Sequence, residues 1–168
     1  MIVKPTGSYG WIDKYIAKSN DENLIEGFKR QTSETLALLS SLTDEQWKHS
    51  YATGKWTIAE VVIHLLDTER VFGYRALTFS RGDQTELPGY DENIYAANCD
   101  AGSRSGKSIM EEYIVVRTGT VALFSNLPSF TLDNPGIANK VTMSARALGW
   151  ATLGHEIHHV GVMRERYL

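Results

Sequence analysis

His155 and His159 stand four residues apart in the sequence, and His64 lies far upstream between Ile63 and Leu65. On a helix, residues four apart project from one face about one turn from each other, the spacing at which two imidazoles grip one metal ion. Both fall on the apolar stripe formed with Leu148, Ala151 and Val162, so they point inward. His64 is placed close to the inward face of its own segment. Three inward imidazoles are costly to bury without a common purpose, and a shared divalent ion supplies one. Neutral imidazole suits zinc, nickel, copper or iron(II) rather than magnesium or calcium. Three protein ligands leave a coordination position open, as catalytic rather than structural sites do. His158 is read as lying off the ligand face, and His49 as solvated in a polar loop.

Two other candidates match known patterns only in part. His155-Glu156-Ile157-His158-His159 has the form H-E-x-x-H, which would make Glu156 the general base of a metallopeptidase. Only nine residues follow His159, so that pattern's glutamate ligand on a further helix is not expected. The longer pattern also fails, since Gly161 is one place early and Glu165 stands where a histidine is required. Glu156 is therefore read as an ordinary helix residue. The stretch from Gly102 to Gly106-Lys107-Ser108 is one residue short of a phosphate-binding loop, and no strand precedes it. Cys99, the only cysteine, has no base near it in sequence and forms no intramolecular disulfide.

The elements that must position the histidines are helical. Leu24, Phe28, Thr35, Leu39 and Leu42 recur at threes, fours and a seven, in a segment that begins near Asp21. Thr43 and Gln46 form a capping box for a short turn around Trp47. Thr57 caps a second long helix that carries His64 and runs to about Ser80. Gly82 to Asn98 reads as a long connection, a crossover or a loop covering the site. Ser108 and Glu111 predict a capping box for a third helix, which stops before Pro128. Thr131 to Met143 reads as a loop with a turn at Asn134-Pro135-Gly136 and room for a short extended piece, and Ser144 caps the last helix. Four long amphipathic helices without a convincing strand pattern predict an all-α four-helix bundle. Residues 1–168 fit a single domain, with 1–20 as an N-terminal extension.

Composition narrows the class. The 168 residues are 42% hydrophobic and 22% charged with a net charge of -3, which suits a globular protein and gives no footprint for nucleic acid or an anionic membrane. No basic and apolar leader is seen at the start and no apolar run approaches a membrane span, so the cytoplasm is the default location.

Lys55-Trp56-Thr57-Ile58-Ala59-Glu60, with His64-Leu65-Leu66-Asp67-Thr68-Glu69-Arg70, resembles the second helix of the DinB-like superfamily. Gly154 to His159, continuing through Arg164 to Leu168, resembles its last helix, and Asp91-Glu92-Asn93 resembles a loop of members described as metal-dependent hydrolases. The resemblance covers most of the chain from about Asp21. It implies a four-helix bundle, often dimeric, in which the histidine before Leu-Leu-Asp and the two on the last helix hold nickel, zinc or a similar ion. All three are present as His64, His155 and His159. Some relatives join a low-molecular-weight thiol such as bacillithiol to an electrophile.

The expected function is thus that of a metal-dependent enzyme, holding zinc or nickel and acting on a small-molecule substrate, as a thiol S-transferase or a hydrolase. A coordinated thiol ionises outright, and a coordinated water loses its proton near neutral pH, so the sequence leaves thiol and water open. The alternative is a non-catalytic metal-binding or ligand-sensing bundle. Asp67, three residues beyond His64, is a candidate to orient an imidazole or take a proton. Arg117, which interrupts the apolar stripe of the third helix, would bind an anionic substrate group or snorkel to water. Asn93 and Tyr95 are weaker candidates, and Arg70 and Arg75 are read as surface or interhelix pairs.

Overall fold

A computed structural model describes residues 1–168. A turn of 3-10 helix (Gly10–Ile12) leads into α1 (Asp13–Ile16), followed by α2 (Leu24–Ser40), α3 (Asp44–Trp47), α4 (Ile58–Ser80), α5 (Glu92–Asn98), α6 (Gly106–Asn126) and α7 (Ala145–Arg166). Between α6 and α7 lies an antiparallel hairpin, β1 (Pro135–Ala138) and β2 (Val141–Ser144). The four long helices α2, α4, α6 and α7 form the bundle, with α4 packed on both α6 and α7.

Side-chain caps fix where these helices begin. Asn23 Oδ1 accepts from the Ile25 amide at the start of α2, and Thr57 with Glu60 forms a complete capping box at α4. Ser144 caps α7 through the Ala147 amide. The cap of α6 is Ser105 rather than Ser108: Ser105 Oγ accepts from the Ser108 amide, while the Ser108 hydroxyl is engaged by Arg104. A helix can use only one cap, and the guanidinium contact removes Ser108 from the competition.

Two segments read as loops contain regular structure. The long connection carries α5, capped by Asp91, and its Leu87 pairs with the hairpin through Leu87 N to Ile137 O and Asn139 N to Leu87 O. The hairpin itself turns at Asn139 and Lys140, both at positive φ. That is the backbone of a tight two-residue turn, but Asn-Lys lacks the glycine that signals it in sequence.

The core divides into two apolar clusters. One gathers Phe28, Phe72, Phe124 and Trp150, and the other Leu39, Val62, Ile109 and Met163. Between them every long helix contributes buried polar groups: Gln31 and Thr35 from α2, Glu69 from α4, Arg117 from α6 and Glu156 from α7. The N-terminal residues join the first cluster through Ile2, Ile12 and Ile16. Gly154 permits this, because a Cβ there would overlap the Tyr15 carbonyl and drive α1 off α7.

Candidate metal centre

His64 on α4 and His155 and His159 on α7 meet across the α4–α7 interface. His155 Nε2 lies 3.1 Å from both His64 Nε2 and His159 Nε2. Nitrogens bound tetrahedrally to one ion at about 2.05 Å stand about 3.3 Å apart, so the three ring nitrogens already have the spacing of a shared ligand set. Burial, the leading cause for each, holds all three imidazoles far below the ordinary histidine range: His64 at about 4, His159 at about 3, and His155 well below as well, with its two partner histidines adding to the effect. At neutral pH all three rings are uncharged and present lone pairs, the form that binds a transition metal. The donor set therefore fits a divalent ion of the imidazole-preferring kind.

Aromatic rings hold the three histidines in place. Tyr15 meets His155 edge-on at 5.0 Å between centroids, and Trp56 lies 5.0 Å from His64. His158 stays off the ligand set, packed between Tyr15 and His159. The histidines open onto a cavity of about 360 Å³ whose wall includes Trp11, Thr68, Phe72, Tyr90 and Glu92. Tyr90 and Glu92 come from the long connection, which therefore forms one side of the site.

Asp67 and Arg117 are not in that wall. Asp67 is half-buried on a neighbouring cavity, 3.8 Å from Arg70, and its burial raises its pKa. Arg117 does not snorkel. It is buried, with Nε and Nη2 gripping the two oxygens of Glu69 at 2.9 and 2.8 Å, and Nη2 also 2.5 Å from Glu156. Glu156 in turn accepts from Tyr113 Oη at 2.5 Å and Thr35 Oγ1 at 2.7 Å. Glu156 is thus no surface helix residue; it ties α7 to α2 and α6 one residue from His155. Thr152, Glu156 and Val160, four apart and all buried, are the spacing that marks its inward direction. Of the two arginines read as paired, Arg70 does pair with Glu112 at 2.6 Å, whereas Arg75 is buried with no acidic partner. Asn93 and Tyr95 are also outside the cavity wall. The Cys99 thiol donates to the Ala96 carbonyl at 3.2 Å, and burial raises its pKa, so it is no ready nucleophile.

A family profile described as the DinB superfamily matches residues 28–163. The chain belongs to the DinB superfamily. The matched region contains all three histidines and all four long helices of the bundle, apart from the ends of α2 and α7. Among solved structures the chain resembles YfiT from Bacillus subtilis, described as a probable metal-dependent hydrolase with an unusual four-helix bundle topology. The two are 22% identical with a TM-score of 0.65, covering 96% of this chain and 91% of that one. At that identity the likeness establishes the DinB-like bundle fold. No curated protein matches the chain. No helix is long and apolar enough to cross a membrane.

Proposed function

We propose that this DinB-superfamily protein is a metal-dependent enzyme in which His64, His155 and His159 hold one divalent ion, zinc or nickel. The observation that carries the reading is the convergence of three uncharged imidazole nitrogens at the wall of an open cavity. An ion held there acts as a Lewis acid that makes a water or a thiol nucleophilic near neutral pH. The chain's own residues do the rest. The three rings fix the reaction centre, and Trp56 and Phe72 give the cavity part of its apolar wall. Glu92 is the one carboxylate in the wall and is available to accept the proton that the nucleophile sheds.

The reaction we favour is transfer of a low-molecular-weight thiol to an electrophile. Cys99 lies outside the cavity wall, so the thiol would be a second substrate. Hydrolysis is the second reading, supported by the description of the structurally similar YfiT. The test is to load the purified protein with zinc or nickel and assay cellular thiols against model electrophiles, beside a panel of esters and amides. Turnover in one panel, lost in His64→Ala, is expected. A metal-loaded protein inert in both panels would make it a non-catalytic metal-binding bundle instead.

A further inference from the structure

Two arginines are buried in this protein, and they are treated differently. Arg117 is neutralised by two carboxylates. Arg75 is 2% exposed, yet its only hydrogen bond to the protein is from Nη2 to the Pro88 carbonyl at 2.8 Å, and no acid lies in ion-pair reach. An interior guanidinium without a counter-charge is costly unless something else neutralises it. No fully enclosed side-chain nitrogen or oxygen in the structure lacks a partner, so the remaining Arg75 nitrogens reach space that a ligand can enter. Arg75 lines the histidine cavity and also borders a neighbouring one with Asp67, Tyr74 and Pro88. It lies on the same face of α4 as His64, Thr68 and Phe72, at offsets of four, eight and eleven residues from His64 across the set.

Resting on the metal-enzyme reading above, we propose that Arg75 is the anchor for a carboxylate of the substrate, and that this enzyme acts on organic acids with an apolar body. Eleven residues of helix rise about 16 Å, and a helical side chain leans toward the N-terminus, here toward His64. The carboxylate and the reacting bond therefore sit at opposite ends of the cavity, with Phe72 between them. Phe72 lies 5.9 Å from the Arg75 guanidinium and 6.5 Å from the His155 ring. Tyr90, whose hydroxyl is 2.6 Å from Thr68 Oγ1, borders the same cavity, and burial raises its pKa further. One guanidinium fork matches a carboxylate in shape and charge, whereas a phosphate dianion at Arg75 would remain under-neutralised, since Lys14, the cavity's other cation, stands beside the histidines.

The experiment is calorimetric titration of the full chain, stripped of metal by a chelator, with hydrocinnamate, its neutral primary amide and phenyl phosphate. Hydrocinnamate is expected to bind at least tenfold more tightly than the amide, and more tightly than phenyl phosphate. Arg75→Met is expected to abolish the preference for acid over amide, a change that a general loosening of the cavity would not produce. Arg75→Lys, which keeps the charge but not the fork, is expected to weaken hydrocinnamate at least threefold and serves if Arg75→Met does not fold. Equal binding of acid and amide to the native chain, an unaltered preference in Arg75→Met, unaltered affinity in Arg75→Lys, or tighter binding of phenyl phosphate would each overturn the proposal. A parallel zinc titration of native protein and Arg75 variants tests the metal reading separately, because the anion measurement needs no metal.

Discussion

Glu156 carries much of the strain of burying charge in this bundle. It receives Arg117, Tyr113 and Thr35, and it shares Arg117 with Glu69, all of them buried. Removing one member of such a network leaves the others desolvated and unpaired. Glu156→Ala is therefore expected to cost about 3–5 kcal/mol in urea unfolding. Tyr113→Phe, which deletes one hydroxyl and leaves the carboxylate with its other donors, is expected to cost roughly 1–3 kcal/mol. A Glu156→Ala loss no larger than that of Tyr113→Phe would mean that the network is not the bundle's polar brace. At this scale the sequence was most informative about the histidines, because their spacing on an apolar stripe is a local signal. It was least informative about Glu156 and Arg75. A charged residue at an inward helical position is read as a surface residue unless its partner is known, and those partners lie on other helices or, for Arg75, are absent.

At the scale of elements, the N-terminal segment is held against α7 by a close approach that only glycine allows. In an exposed helix, Gly→Ala is expected to stabilise by about 1 kcal/mol. At Gly154 the sign reverses, because the added methyl meets the Tyr15 backbone; a loss of about 1–3 kcal/mol is expected from thermal melts. A stabilised Gly154→Ala protein would show that α1 does not sit there. The same segment is tied to α2 by Asp21, whose carboxylate accepts from Arg30 Nε and Nη2 at 3.0 and 2.8 Å. Arg30 chiefly, with Ser19 adding to it, lowers the Asp21 pKa. A carboxylate with a depressed folded-state pKa contributes stability above its unfolded value, near 4, and loses that contribution as pH falls through the folded one. Asp21→Asn should thus be less stable than the native chain at pH 7, by on the order of 0.5–1 kcal/mol since the pair is partly exposed, with the gap closing in acid. A gap independent of pH would exclude the ion pair as its source. The long helices and most of their caps were legible from periodicity and Ser/Thr spacing. Of the hairpin no more than a short extended piece was legible, because its Asn-Lys turn carries no glycine and its strands are only four residues each.

At the scale of the whole molecule, the bundle places a polar layer across all four long helices and sets the histidines beside it, on the α4–α7 seam. The long connection and the N-terminal segment then close the site from opposite ends of the sequence, through Tyr90 and Tyr15. The length of the connection already suggested a loop over the site, whereas the N-terminal segment has no periodic pattern that fixes its place. Helical periodicity and histidine spacing pointed to the bundle and the three histidines, in agreement with the family resemblance, and the cavity emerged only from the packed helices. The most direct test of the account is elemental analysis of natively purified, untagged protein beside a His155→Ala/His159→Ala variant. About one equivalent of zinc or nickel in the native chain and none in the variant is the predicted result. No bound metal in the native chain even after reconstitution, or an equal content in the variant, would contradict it.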